Sequence, residues 1–100
     1  MRTTRFIPAF AVLLVMGSAA GAQDSTMLHA RSLAATCASC HASIDSVIPP
    51  LSGMTESAIA RAMQDYKSGA RQGTVMPQLA KGYTDAQIVA IASWYARVKR

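Results

Sequence analysis

The residues of this chain best suited to chemistry stand together as Cys37-Ala38-Ser39-Cys40-His41. Two thiols three positions apart share one face of a helix, and a thiol is both a nucleophile and a soft ligand. The imidazole directly behind them offers a neutral nitrogen to a transition metal. C-x-x-C-H is the attachment sequence of haem c. The two sulfurs can reach the two vinyl groups on one porphyrin edge and form thioethers, which places His41 under the iron as an axial ligand. Three other uses of such a pair compete with this one. A thioredoxin-like redox couple needs a βαβ context, and no alternating strand segment of useful length is present. Half a zinc site would need His29 as its remaining nitrogen ligand, at a spacing foreign to zinc motifs. A plain disulfide is open to any exported protein. These are the only two cysteines, so no other disulfide framework competes for them.

A haem that transfers electrons has a second axial ligand, whereas an open position suits ligand binding or peroxidase-like chemistry. Beyond residue 22 the methionines are Met27, Met54, Met63 and Met76. Met63 falls on the apolar stripe of a helix and reads as core; Met54 is placed to pack near Ile59; Met27 lies near the start of the mature chain. Met76, followed by Pro77 in an irregular stretch, has no evident packing duty and can come round to the far haem face. His29 is its competitor, and bis-histidine ligation would lower the reduction potential where methionine raises it.

The elements that must position these groups are helices. Met27 to Thr36 reads as a short helix without a breaker, and Ser43 to Gly53 as a loop punctuated by Pro49, Pro50 and Gly53. Thr55 is an N-cap; Ile59, Met63 and Tyr66 share a face behind it, and Gly69 stops that helix. Ala70 to Tyr83, with Gly73, Pro77 and Gly82, has no sustained period and is predicted to be an extended loop, long enough to imply function or wrapping around something. Thr84-Asp85-Ala86-Gln87 fits a capping box. Ile88, Ile91, Ala92, Tyr95 and Val98 then make an apolar stripe at helical spacing. The prediction is therefore all-α: three main helices and loops, too small a chain to fill its own centre, wrapped around one haem.

The full chain has 100 residues, a net charge of +5 and 51% apolar residues. Arg2 and Arg5, the uncharged run Phe6 to Met16 and Ala20-Gly21-Ala22 together read as a signal peptide, residues 1–22, cleaved after Ala22 to leave a domain of residues 23–100. The run is short for a membrane-spanning helix, which needs ~20 apolar residues, although an uncleaved tether is the alternative. Export to the periplasm without stable membrane insertion is the expectation. The basic residues are scattered rather than interleaved with aromatics, which argues against nucleic acid as a partner. Arg97, Lys99 and Arg100 close a helix, where cations favour the macrodipole.

From His29 onward the chain resembles class I cytochromes c: an attachment motif near the N-terminus, the Pro49-Pro50-Leu51-Ser52-Gly53 segment, the Met76-Pro77 step, and a last helix with Trp94 and Tyr95. The resemblance implies that the Pro49 carbonyl accepts the ring N–H of His41, that Met76 is the distal ligand, and that Trp94 and Tyr95 lie where the last helix crosses the first. Leu33 to His41 (LAATCASCH), Tyr66 to Arg71 (YKSGAR), Thr74 to Gln78 (TVMPQ) and Lys81 to Gln87 (KGYTDAQ) are similar to the cytochrome subunit of flavocytochrome c sulfide dehydrogenase. That likeness implies one covalent haem c and outer-sphere electron transfer. It also implies a redox partner in the form of an FAD-containing, sulfide-oxidising flavoprotein. The chain would then be a non-catalytic electron-transfer subunit, the alternative being a free-standing shuttle. Lys67 and Arg71 are candidates to pair with haem propionates, surface solvation being the other reading.

Overall fold

The computed structural model describes residues 20–43 and 47–98. They form four helices: α1 (Ala20–His41), α2 (Glu56–Ser68), α3 (Met76–Ala80) and α4 (Asp85–Arg97). Among the described residues there is no strand, in keeping with the all-α prediction. The expected leader lies outside the described residues except for its last three, which open α1, and Lys99 and Arg100 lie outside them as well. None of the described helices is long and apolar enough to cross a membrane.

Helix α1 is longer than the Met27–Thr36 prediction at both ends. Nothing from Thr36 to His41 breaks a helix, and the Ser39 hydroxyl donates back to the Thr36 carbonyl at 2.7 Å, inside the last turns. The attachment motif is therefore helical throughout. Helix α2 starts where Thr55 accepts the Ala58 N–H on its side chain at 3.2 Å, and it ends at Gly69, whose φ of 85° is left-handed. Glycine suits that position because a Cβ would strain it. Helix α4 carries the full capping box: Gln87 N–H donates to the Thr84 hydroxyl at 3.2 Å, and Thr84 N–H donates to the Gln87 side chain at 2.9 Å.

The extended loop predicted for Ala70–Tyr83 needs correction, because it contains the one-turn helix α3. Pro77 marks a loop in a sequence reading, yet it sits in the first turn of α3, where its missing N–H costs nothing. The Gln78 and Leu79 N–H groups both close on the Val75 carbonyl, at 3.0 and 3.1 Å.

The core gathers Ala34 from α1, Ile59 and Met63 from α2, and Ile88, Ile91 and Tyr95 from α4. Ile88 and Ile91 are fully buried, each contributing ~1.5–3 kcal/mol through the apolar surface it removes from water. Fully buried alanines at Ala34 and Ala92 fit the close packing of α1 against α4. There the Tyr95 hydroxyl donates to the Ala34 carbonyl at 2.7 Å, inside the protein. A second tie joins α2 to the start of α4: Lys67 Nζ lies 2.9 Å from the Asp85 carboxylate, and Gln64 donates to the same oxygen at 3.1 Å.

Candidate haem site

The site begins with rigidity. Cys37, Cys40 and His41 ride on the last turns of α1, and α1 is held against α4 by the Tyr95–Ala34 bond. Cys37 is half-buried and packs against the core, whereas Cys40 is exposed; both are free thiols. Burial pushes the Cys37 thiol above its ordinary pKa, so in the unmodified chain it stays protonated.

Orientation of His41 comes from the opposite side of the connecting loop. Its Nδ1 lies 2.6 Å from the Pro49 carbonyl oxygen, the contact that the resemblance implies. A carbonyl only accepts, so Nδ1 carries the proton and Nε2 of the neutral ring is left with its lone pair. That is the tautomer a metal-bound imidazole requires, and the partner fixes its direction. Pro50 restricts Pro49 to extended backbone. Two residues on, the Met54 N–H closes on the Leu51 carbonyl at 3.1 Å, with Gly53 at φ 85°. This is a type II turn, and glycine is what its third position demands. The Pro-Pro-Leu-Ser-Gly segment thus aims one carbonyl at His41 and then turns the chain into α2.

Met76 opens α3, half-buried, and packs against the same core cluster as Cys37, Leu51 and Tyr66. Leu51, Ile59, Met63, Tyr66, Ile88 and Ile91, the side chains anticipated around a prosthetic group, all belong to or pack on that cluster. His29 is exposed on α1, well before the attachment motif. Among the described residues no three His, Cys, Asp or Glu side chains gather to hold a lone metal ion. Lys67 and Arg71, the propionate candidates, have partners in the protein itself: Lys67 is paired with Asp85, and the Arg71 guanidinium sits 5.3 Å above the Tyr66 ring. An open groove of about 290 Å³ runs along α1 and α4 past Arg31, Ala35, Ala38 and Trp94, and none of Cys37, His41 or Met76 lines it.

Comparison with known proteins bears on what such a site holds. Over 71 residues the chain is 38% identical to the cytochrome subunit of sulfide dehydrogenase from Chlorobaculum tepidum, a match covering 68% of this chain and 64% of that protein. It is 31% identical over 102 residues to a thiosulfate dehydrogenase electron acceptor from Thiomonas intermedia, covering 95% of this chain and 47% of that one. The chain is a cytochrome c related to the former subunit. It spans less than two thirds of either relative. No protein-family model matches it.

Relationship to cytochromes implies haem binding, and the side chains fit that group. The cytochrome offers two thiols on one helical turn, an imidazole with Nε2 left over, and a thioether facing the same core. Around them lies apolar surface that water does not favour. Of the six large hydrophobic residues exposed among the described residues, Val47 and Ile48 precede Pro49, while Val75 and Leu79 flank Met76. Exposed apolar side chains concentrated beside both candidate ligands are what a large flat hydrophobic group would cover.

What the sequence did not disclose is the company kept by Gly73. A Cβ there would lie 3.1 Å from the Tyr66 ring and 3.2 Å from the Pro77 ring. The only available signal was its place between Tyr66 and Met76.

Proposed function

We propose that this cytochrome is a periplasmic monohaem electron carrier, exported by residues 1–22 and cleaved after Ala22. In this reading one haem c is bound through thioethers from Cys37 and Cys40. His41 and Met76 are its axial ligands, and Pro49 orients the histidine. The bound haem supplies a one-electron couple, Fe(III) to Fe(II) and back. The chain's own part is to hold, orient and keep dry. Helix α1 fixes the two sulfurs relative to the imidazole, Pro49 holds the Nδ1 proton, and Ile59, Met63, Ile88 and Ile91 keep the interior apolar. The observation that carries this reading is the 2.6 Å approach of His41 Nδ1 to the Pro49 carbonyl, directly after a C-x-x-C pair on the same helix.

The electron donor in this proposal is an FAD-containing, sulfide-oxidising flavoprotein, and the chain is its non-catalytic haem subunit. Support comes from the name of the Chlorobaculum relative, a subunit of sulfide dehydrogenase. The name of the Thiomonas protein, an electron acceptor, places it in the same kind of role. Intact mass and pyridine haemochrome analysis of protein matured in the periplasm test the core of the proposal. The expected result is a chain beginning at Gln23 and carrying the mass of one haem with a bis-thioether spectrum. A bare polypeptide from correctly matured material would refute it. Co-purification with a flavoprotein from the native host, and reduction of the haem by that protein with sulfide, tests the partner separately.

A further inference from the structure

Helix α3, which carries Met76, is a single turn of only five residues. Something outside it must fix where the Met76 thioether stands. The stretch between α2 and α3 folds back on α2. The Arg71 N–H donates to the Asp65 carbonyl at 3.0 Å, and the Arg71 guanidinium lies over the Tyr66 ring. The bare backbone of Gly73 then passes between that ring and Pro77. Gly73 is not one of the glycines with positive φ, which are Gly53 and Gly69. Backbone conformation therefore does not call for glycine at position 73; space does.

A methyl group at Gly73 would meet Tyr66 Cε1 and Pro77 Cδ inside ordinary van der Waals distance. The two neighbours differ in how far they can yield. Tyr66 belongs to a 13-residue helix, packs on the core and has Arg71 on its ring. Pro77 is bonded directly to Met76 in a single turn. Crowding is therefore relieved by moving the Met76–Pro77 step. We propose that Gly73 is a positioning residue for Met76, acting through the Tyr66 ring and Pro77. The inference rests on Met76 as the distal haem ligand.

The test uses haem-loaded, periplasmically matured full-length protein. Met76→Ala comes first: it should abolish the weak Met–iron band of the oxidised form, and persistence of that band would overturn the ligand assignment and this inference with it. With the ligand established, Gly73→Ala should weaken the band. It should also raise the rate at which imidazole displaces Met76 about tenfold, the scale of an overpacking penalty. Gly69→Ala is the control. It strains a left-handed position with no neighbour within 4 Å, so it should lower the thermal midpoint without touching band or rate. Tyr66→Leu removes the surface on which Gly73 rests and should also raise the imidazole rate, which carries the test if Gly73→Ala fails to mature. In the Tyr66→Leu/Gly73→Ala double variant the alanine should add little, since the space left by the ring lets the methyl group move away from Pro77. An imidazole rate in Gly73→Ala within about twofold of wild type, or full additivity in the double variant, would overturn the proposal.

Discussion

Replacing Tyr95 by phenylalanine removes one oxygen from the interface of the two longest-separated helices. The ring is nearly buried at 6% exposure and keeps its packing, so the change isolates the 2.7 Å hydrogen bond to the Ala34 carbonyl. That carbonyl lies within α1 and retains its helical partner, so no acceptor is orphaned. The cost is then the net worth of one hydrogen bond, ~1 kcal/mol. For a domain of this size 1 kcal/mol lowers the melting temperature by roughly 4–8 °C, readable by far-ultraviolet circular dichroism at neutral pH. Alkaline titration supplies a second arm. Burial raises the Tyr95 phenol above its ordinary pKa, with the nearby Cys37 adding to the shift in the free-thiol chain. With haem linked to Cys37 as proposed, the thioether would carry no charge, and burial alone would remain. A group whose folded pKa is raised contributes stability that is complete below its unfolded value, about 10 for tyrosine. That contribution is lost as pH rises through the folded value. Phenylalanine cannot ionise, so the advantage of the wild type should shrink in that window. Equal melting temperatures at neutral pH, or a gap that persists at high pH, would show that the hydroxyl does not join α1 to α4.

Three further outcomes follow from the elements around the site. Thr84→Ala breaks the capping box of α4 and should cost ~1 kcal/mol, seen as a lower urea midpoint with the haem spectrum unchanged. Ile88→Ala empties a fully buried position and should cost ~2–5 kcal/mol, against ~0.5–1.5 for Ile88→Val; equal effects would mean that the core repacks freely. Asp85 is held below the usual carboxylate range by hydrogen bonds from Lys67 and then Gln64, and by the Lys67 charge. Its stabilising effect is present above the unfolded carboxylate pKa and is lost as pH falls through the depressed folded value. Asp85→Asn should therefore flatten the acid limb of the stability curve, and high salt should erase most of the difference.

Local signals carried much of the fold into the sequence. Thr55, Gly69 and the Thr84–Gln87 box mark helix ends through hydrogen bonds made within a few residues of the chain, and the structure places the ends there. The stripe from Ile88 to Tyr95 is buried as its period implies. Reading failed where a residue type has two meanings. Pro77 ends a helix from inside it and opens one from its first turn, and only tertiary packing of Met76 and Ala80 on the core selects the second. The helix expected over Met27 to Thr36 runs on to His41, with the two thiols at its end as their spacing implies. The destinations of Lys67 and Arg71 were hidden. Each depends on a residue brought near by folding, Asp85 in one case and the face of Tyr66 in the other.

The two sides of the candidate site are built to different standards of rigidity, and that difference follows from chain topology. Cys37, Cys40 and His41 belong to a 22-residue helix. It is tied to α4 through Tyr95 and to the next loop through Pro49, so displacing His41 means disturbing contacts on two elements. Met76 belongs to one turn of helix and is held by packing on the core cluster, with Pro77 beside it in the chain and Gly73 close to the Tyr66 and Pro77 rings. Local opening is drawn from segments with few buried contacts and few internal hydrogen bonds. On the proposed ligation, the side that carries Met76 is therefore where packing details would set the iron–sulfur bond and with it the reduction potential. The histidine side is set by the spacing of Cys37, Cys40 and His41 along one helix and by one short hydrogen bond. A change in the loop from Arg71 to Val75 acts on the first and leaves the second as it was.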